Sequence, residues 1–187
     1  SLRRSGAYAG AFESPATATI DFEFDTGKLH EVSISRPENA GDRGAVAPMA
    51  MDGVPVGRAP DTESLPGRHL GRGTAGDAVF EVFALDAQDG RFGSDPYLYV
   101  SARTPHNGIT LPMMGLEATL RRDGEAAWES SLARTLDPEL GYHYGASVPV
   151  VRRGDEVTVA TTVPPQVARH DGYETAFLEM GEVSVRV

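Results

Sequence analysis

From residue 78 onward, apolar and polar positions alternate with a period of two, the spacing of a strand that buries one face. Residues 78–85 (AVFEVFAL) and 97–102 (YLYVSA) are the most apolar of these runs and are predicted as core strands. Segments 115–121 and 126–132 flank Arg122-Asp123-Gly124, which predicts a hairpin. Segments 142–150 and 156–163 flank a further turn at 152–155, and 177–187 ends in alternating Val183, Val185 and Val187. Nearer the start, 17–24 (TATIDFEF) alternates in the same way, and Asp25-Thr26-Gly27 separates it from 29–35 (LHEVSIS), a further hairpin.

Two stretches lack this pattern. Residues 1–16 read as a flexible lead-in. Residues 36–76 crowd Pro, Gly, Asp and Arg together, which predicts a long connection with one short extended piece at 46–51. No dozen-residue window sustains a 3.6-residue period, so helices are expected to be short or absent. Strands at this spacing, separated by Gly and Pro turns, predict an all-β fold: one antiparallel β-sandwich domain over 17–187. A β-barrel is the alternative that the same pattern allows.

Composition narrows the function classes. A chain of 187 residues can bury roughly 70% of its unfolded surface in a single core. Its net charge is −10, and Lys28 is its only lysine. A polyanion binder needs a basic face, so nucleic acid is excluded as the main partner. The absence of cysteine removes disulfides, thiolate metal sites and thiol nucleophiles. No apolar run reaches about 18 residues, the length that spans a bilayer. Any secretion signal is expected to have been removed already.

The chemical motifs are few. G-x-S-x-G, H-E-x-x-H, a phosphate-cradling loop and a dinucleotide fingerprint are all missing. Arg72-Gly73-Thr74-Ala75-Gly76-Asp77 is Gly-rich, but it leads into a strand and reads as a turn. Five histidines remain. His143 is flanked by Tyr142 and Tyr144, which dehydrate its surroundings. His170 sits in a loop between two strands, where a rigid scaffold commonly places metal ligands. Asp171 and Glu174 stand close enough in sequence to orient it. His106 reads as a turn residue and His30 as an exposed edge residue, while His69 precedes a Gly-rich turn and has no evident role. In an extended segment Met49 and Met51 share a face, and paired thioethers favour a soft ion such as Cu(I).

Leu140-Gly141-Tyr142-His143-Tyr144-Gly145-Ala146-Ser147, followed by Arg169-His170-Asp171-Gly172-Tyr173-Glu174-Thr175, resembles a known family. Small periplasmic iron-transport proteins, which bind copper and work beside high-affinity iron permeases, carry D-G-P-H-Y-G-A-N and then R-H-x-x-x-E-T in this order. The resemblance covers residues 76–187. It implies an immunoglobulin-like β-sandwich, a homodimer and a surface metal site. It maps two imidazoles to His143 and His170 and the carboxylate to Glu81. The family's methionine falls on Leu136, and the histidine that precedes its glutamate falls on Val79, so two expected ligands are missing. Met49, Met51 and Met113 are the thioethers that remain as replacements, and Met51 completes the predicted set of His143, His170, Glu81 and Met51.

Imidazole suits copper, iron and zinc, and a carboxylate compensates their charge. The expectation is therefore an extracytoplasmic, non-catalytic protein that binds a copper or iron ion, with zinc also compatible, for uptake by a membrane iron permease. Periplasmic or cell-surface placement, including a lipid anchor before processing, belongs to that reading. The alternative is a β-sandwich interaction module that has lost its metal, which the missing methionine favours.

Overall fold

The computed structural model describes residues 52–53, 57–165, 177 and 180–187. Eight strands follow in order: β1 (Arg68–Ala75), β2 (Ala78–Leu85), β3 (Tyr97–Arg103), β4 (Gly115–Arg122), β5 (Glu125–Asp137), β6 (Gly141–Ser147), β7 (Glu156–Val163) and β8 (Val183–Arg186). Among the described residues, the only helical pieces are two single 3-10 turns, at Thr62–Ser64 and Ala87–Asp89. The all-β antiparallel architecture expected from the alternation is the one the described residues form.

The strands run in the order β1-β2-β3-β6-β5-β4-β7-β8, and every neighbouring pair is antiparallel. The long strand β5 joins two layers. Its first part pairs with β4 as far as Leu132, and Ala133–Asp137 pairs with β6. One sheet is thus β1-β2-β3-β6 with the end of β5, and the other is the start of β5 with β4, β7 and β8. The open side is nearly closed, because β8 lays Val183 and Val185 over Gly73 and Gly71 of β1. A side chain at Gly73 would collide with Val183, so the sheets approach closely only where β1 has none.

Period two decides which residues meet between the layers. Phe80 and Val82 of β2, Leu98 and Val100 of β3, and Tyr144 of β6 face Leu116, Ala118 and Leu120 of β4 and Val157 and Val159 of β7. These side chains are fully buried, and each large one contributes about 1.5–3 kcal/mol by leaving water. Strands β2 and β3 are buried on both faces, which explains why their sequences read as nearly continuous apolar runs. Their outer face carries a second, smaller cluster of Phe83, Leu85, Tyr97 and Tyr99, roofed by Leu65, Leu140 and Phe92.

Local signals held at the turns. Asp123 and Gly124, at φ 53° and 85°, link the paired residues Arg122 and Glu125 in a two-residue turn with positive φ at both positions, as a tight hairpin requires. Before β7, the Asp155 carboxylate accepts from the Arg122 guanidinium and from the Arg152 N–H. The Arg122 bond holds its pKa below the usual carboxylate value, against the opposing effect of burial.

The structure corrects several boundaries. The expected connection over 36–76 contains β1, and only Gly76-Asp77 of the Gly-rich stretch forms the turn between paired Ala75 and Ala78. The register shifts between His69 and Gly71; this bulge breaks the alternation, and the glycines remove the side chains that would reveal it. Strand β6 ends at Ser147, and β5 extends to Asp137. The hairpin expected over 17–35 and the extended piece at 46–51 lie outside the described residues.

Candidate metal centre

Glu81 and His143 share the outer face of the five-stranded layer. The β2–β3 register sets Glu81 opposite Ser101, Phe83 opposite Tyr99 and Leu85 opposite Tyr97. Val100 in turn faces Tyr144, so His143, one residue earlier, points to the side of Ser101. Strand β3 stands between the two candidate ligands. At strand spacings of about 4.8 Å their backbones lie roughly 10 Å apart. Each has found its own partners.

His143 is fully buried. Its Nδ1–H donates to the Gly141 carbonyl at 3.0 Å, which leaves Nε2 with the lone pair a metal would need. That atom faces the Tyr97 hydroxyl across a long 3.4 Å contact. Phe92, Tyr97 and Tyr99 surround the ring edge-on, with centroids 5.5, 6.0 and 5.6 Å away. Burial in this aromatic box lowers the imidazole pKa, while the Gly141 bond and the Asp137 charge oppose the shift. Burial thus favours the neutral ring, the form that ligates.

The box has a lid. Phe92 stacks on Tyr97 at 4.0 Å, next to Arg91, whose guanidinium reaches Asp89 at 2.8 Å, Glu139 at 3.1 Å and Asp137 at 3.3 Å. Arg91→Ala is expected to loosen Phe92 and admit water to His143. The pKa of His143 then rises toward its ordinary 6.5, a shift that imidazole NMR titration reads directly. The sign follows from the burial: the neutral buried ring favours folding above about pH 6.5, and that contribution is lost as pH falls through the depressed folded value. An unchanged His143 titration would show that Phe92 does not seal the box.

Glu81 is 2% exposed, an ionisable side chain where the alternation of β2 otherwise places Val79, Phe83 and Leu85. Its Oε2 lies 2.9 Å from His69 Nε2, and its Oε1 lies 3.6 Å from Arg72 Nε. The bulge in β1 makes this possible. His69 pairs with Phe83 and Arg72 with Glu81, so residues three apart stand side by side on one face. The His69 ring also leans on Phe83 at 4.7 Å. Sequence reasoning assigned His69 no role, because its partner is set by strand pairing rather than by any local motif.

The remaining candidates divide. Leu136 is 77% exposed and pairs with Tyr142, while Thr135 pairs with His143, so Leu136 faces away from the His143 side. Met113 takes part in the Tyr142 group too: its N–H donates to the Tyr142 hydroxyl, and its Sδ accepts from Arg134. Tyr142 alternates with His143 along β6, so Met113 does not replace the missing thioether on the His143 face. His170, Met49 and Met51 lie outside the described residues. His106 is in the turn closed by the Gly108 N–H on the Thr104 carbonyl, as expected. Among the described residues, no three His, Asp or Glu side chains converge closely enough to hold an ion. What they do supply is one hydrogen-bonded carboxylate–imidazole pair, Glu81 with His69, flanked by Arg72.

A two-layer antiparallel β-sandwich, with an imidazole in an aromatic box and a buried carboxylate on one outer face, defines the class of this protein. The chain belongs to the family described as a domain of unknown function, DUF7350, which matches residues 63–186. Among solved structures it is similar to a copper-bound variant of FetP from uropathogenic Escherichia coli, at 19% identity and a TM-score of 0.47, covering 64% of this chain and 95% of that one. It is similar also to "as isolated" FetP from the same organism, recombinantly expressed in the periplasm, at 19% identity and a TM-score of 0.46, covering 63% and 91%. No curated protein matches the chain.

Proposed function

We propose that this domain is a non-catalytic, extracytoplasmic metal-binding protein that handles copper or iron for an uptake system. The observation that carries the reading is Glu81, an acid buried in an apolar strand with an imidazole 2.9 Å from one oxygen. Burying a carboxylate is costly unless something compensates it; His69 and Arg72 do so here, and the reading is that a bound cation takes that place. The neutral imidazole of His143 on the same face and the ordered pair of motifs around His143 and His170 support the same reading. So does the acidic surplus, which attracts cations over about a Debye length, roughly 10 Å at 0.1 M salt. A homodimer and a membrane permease as partner belong to this proposal, as does lipid anchoring before processing.

Titration of the apo-protein with Cu(II) in a calorimeter tests it. Saturable binding is expected, weakened at least tenfold in His170→Ala, since even outer-shell partners of metal sites are worth 10–100-fold. Absence of bindable copper, iron and zinc in the wild type would overturn the proposal.

A second reading is an interaction module without metal. Two observations favour it: both nitrogens of His143 are engaged, and position 136 presents an exposed leucine. The same titration separates the two.

A further inference from the structure

We infer that the free edge of β5 joins two copies of this chain, strand to strand and antiparallel, about a two-fold axis at Ser130. The inference supplies an interface for the homodimer named above and rests on that part of the reading alone. Strand β5 pairs with β4 as far as Leu132 and meets β6 only from Ala133 onward. Its first part is therefore the outer strand of the second layer, and among the described residues no other strand lies beside it. Such an edge presents a row of N–H and C=O groups that a further strand can take up. Proline, which would block it, is absent from β5. Glu129 and Ser131 are exposed there, and Trp128 is half-buried against the core cluster. Trp128 is the chain's single tryptophan, a residue type enriched where interfaces carry most of their energy.

The strand itself sets the register. Leu120 pairs with Trp128 but Arg121 with Ala126, so Ala127 is the extra residue of a bulge. With the bulge at one end and β6 at the other, the regular free edge is residues 128–132, centred on Ser130. A two-fold axis there sets Trp128 beside Leu132 of the partner subunit, Glu129 beside Ser131 of the partner subunit, and the two Ser130 residues opposite each other. Each pair is compatible, and no like charges meet. Moving the axis to Glu129 would set that carboxylate against its own copy, which is destabilising. Moving it to Ser131 would leave only residues 130–132 to pair. The edge is thus self-complementary in one register. The net charge of −10 on each copy opposes association over roughly 10 Å at 0.1 M salt, so the pairing tightens as salt rises.

Sedimentation velocity of the full chain over a concentration series, read with the emission of Trp128, tests this. A dimer is expected, tighter at about 1 M salt than at about 0.1 M. Its formation should shift the tryptophan emission to the blue, because the added strand excludes water from the ring. Ser131→Glu places a second carboxylate opposite Glu129 of the partner subunit, twice per dimer, and should raise the dimer Kd roughly tenfold or more. Ser131→Lys places an ammonium there and should lower it. Position 131 is exposed, so both variants should keep the fold, which circular dichroism and thermal melting check. A monomer at every concentration and salt overturns the inference and the homodimer with it, while metal binding stands or falls by its own calorimetric titration. A dimer indifferent to both substitutions lies on another surface: the edge assignment falls and the homodimer remains.

Discussion

Glu81→Gln is expected to weaken Cu(II) binding at least tenfold while the sheet stays intact. The amide keeps the volume and can still hydrogen-bond to His69, so the packing around Phe83 and Ser101 is preserved. What it loses is the negative charge, and with it the hard oxygen donor that the metal-binding reading assigns to Glu81. It also leaves Arg72 without the anion it now balances at 3.6 Å, so a cation enters a site that is already positive. Calorimetric titration reads the loss, and the melting temperature reads the fold. A variant that binds copper as the wild type does would place the metal away from Glu81. It would leave the carboxylate with a purely structural role between two basic side chains.

Phe80→Ala is expected to cost about 3–5 kcal/mol, the range for emptying a large aromatic site in a packed core. Phe80 is 0% exposed and belongs to the cluster that fills the space between the two layers. Nothing near it can collapse into the space without dragging a strand, because β2 is paired on both sides. Urea unfolding followed by circular dichroism measures the change. Leu136→Ala, also an apolar truncation but at an exposed position, should stay within about 0.5 kcal/mol. Equal losses in both variants would mean that the two-layer core is not where stability resides.

These two residues lie one position apart on the same strand and do opposite things. Phe80 faces the layer below, while Glu81 faces outward among aromatics. The string AVFEVFAL marks a nearly continuous apolar strand, buried on both sides; Glu81 within it was singled out by the family resemblance and not by the pattern. The string RHLGRGTA of β1 carries no such signal. Its bulge shifts the period at Leu70, and its glycines stand where the valines of β8 pack, more than a hundred residues later in the chain. His69 was passed over for the same reason. The aromatic box around His143 was half legible: Tyr142 and Tyr144 are its sequence neighbours, yet the rings that enclose it are Phe92, Tyr97 and Tyr99.

Alternation along each strand and the residues of each turn were determined by the sequence itself, since both are set by neighbours within a few positions. From them came the all-β class, the strands after residue 78 and the division of each into an inward and an outward face. Which outward residues stand together was decided only by the tertiary structure. The bulge in β1 sets His69 beside Glu81, and strand order, a non-local property, places β3 between Glu81 and His143.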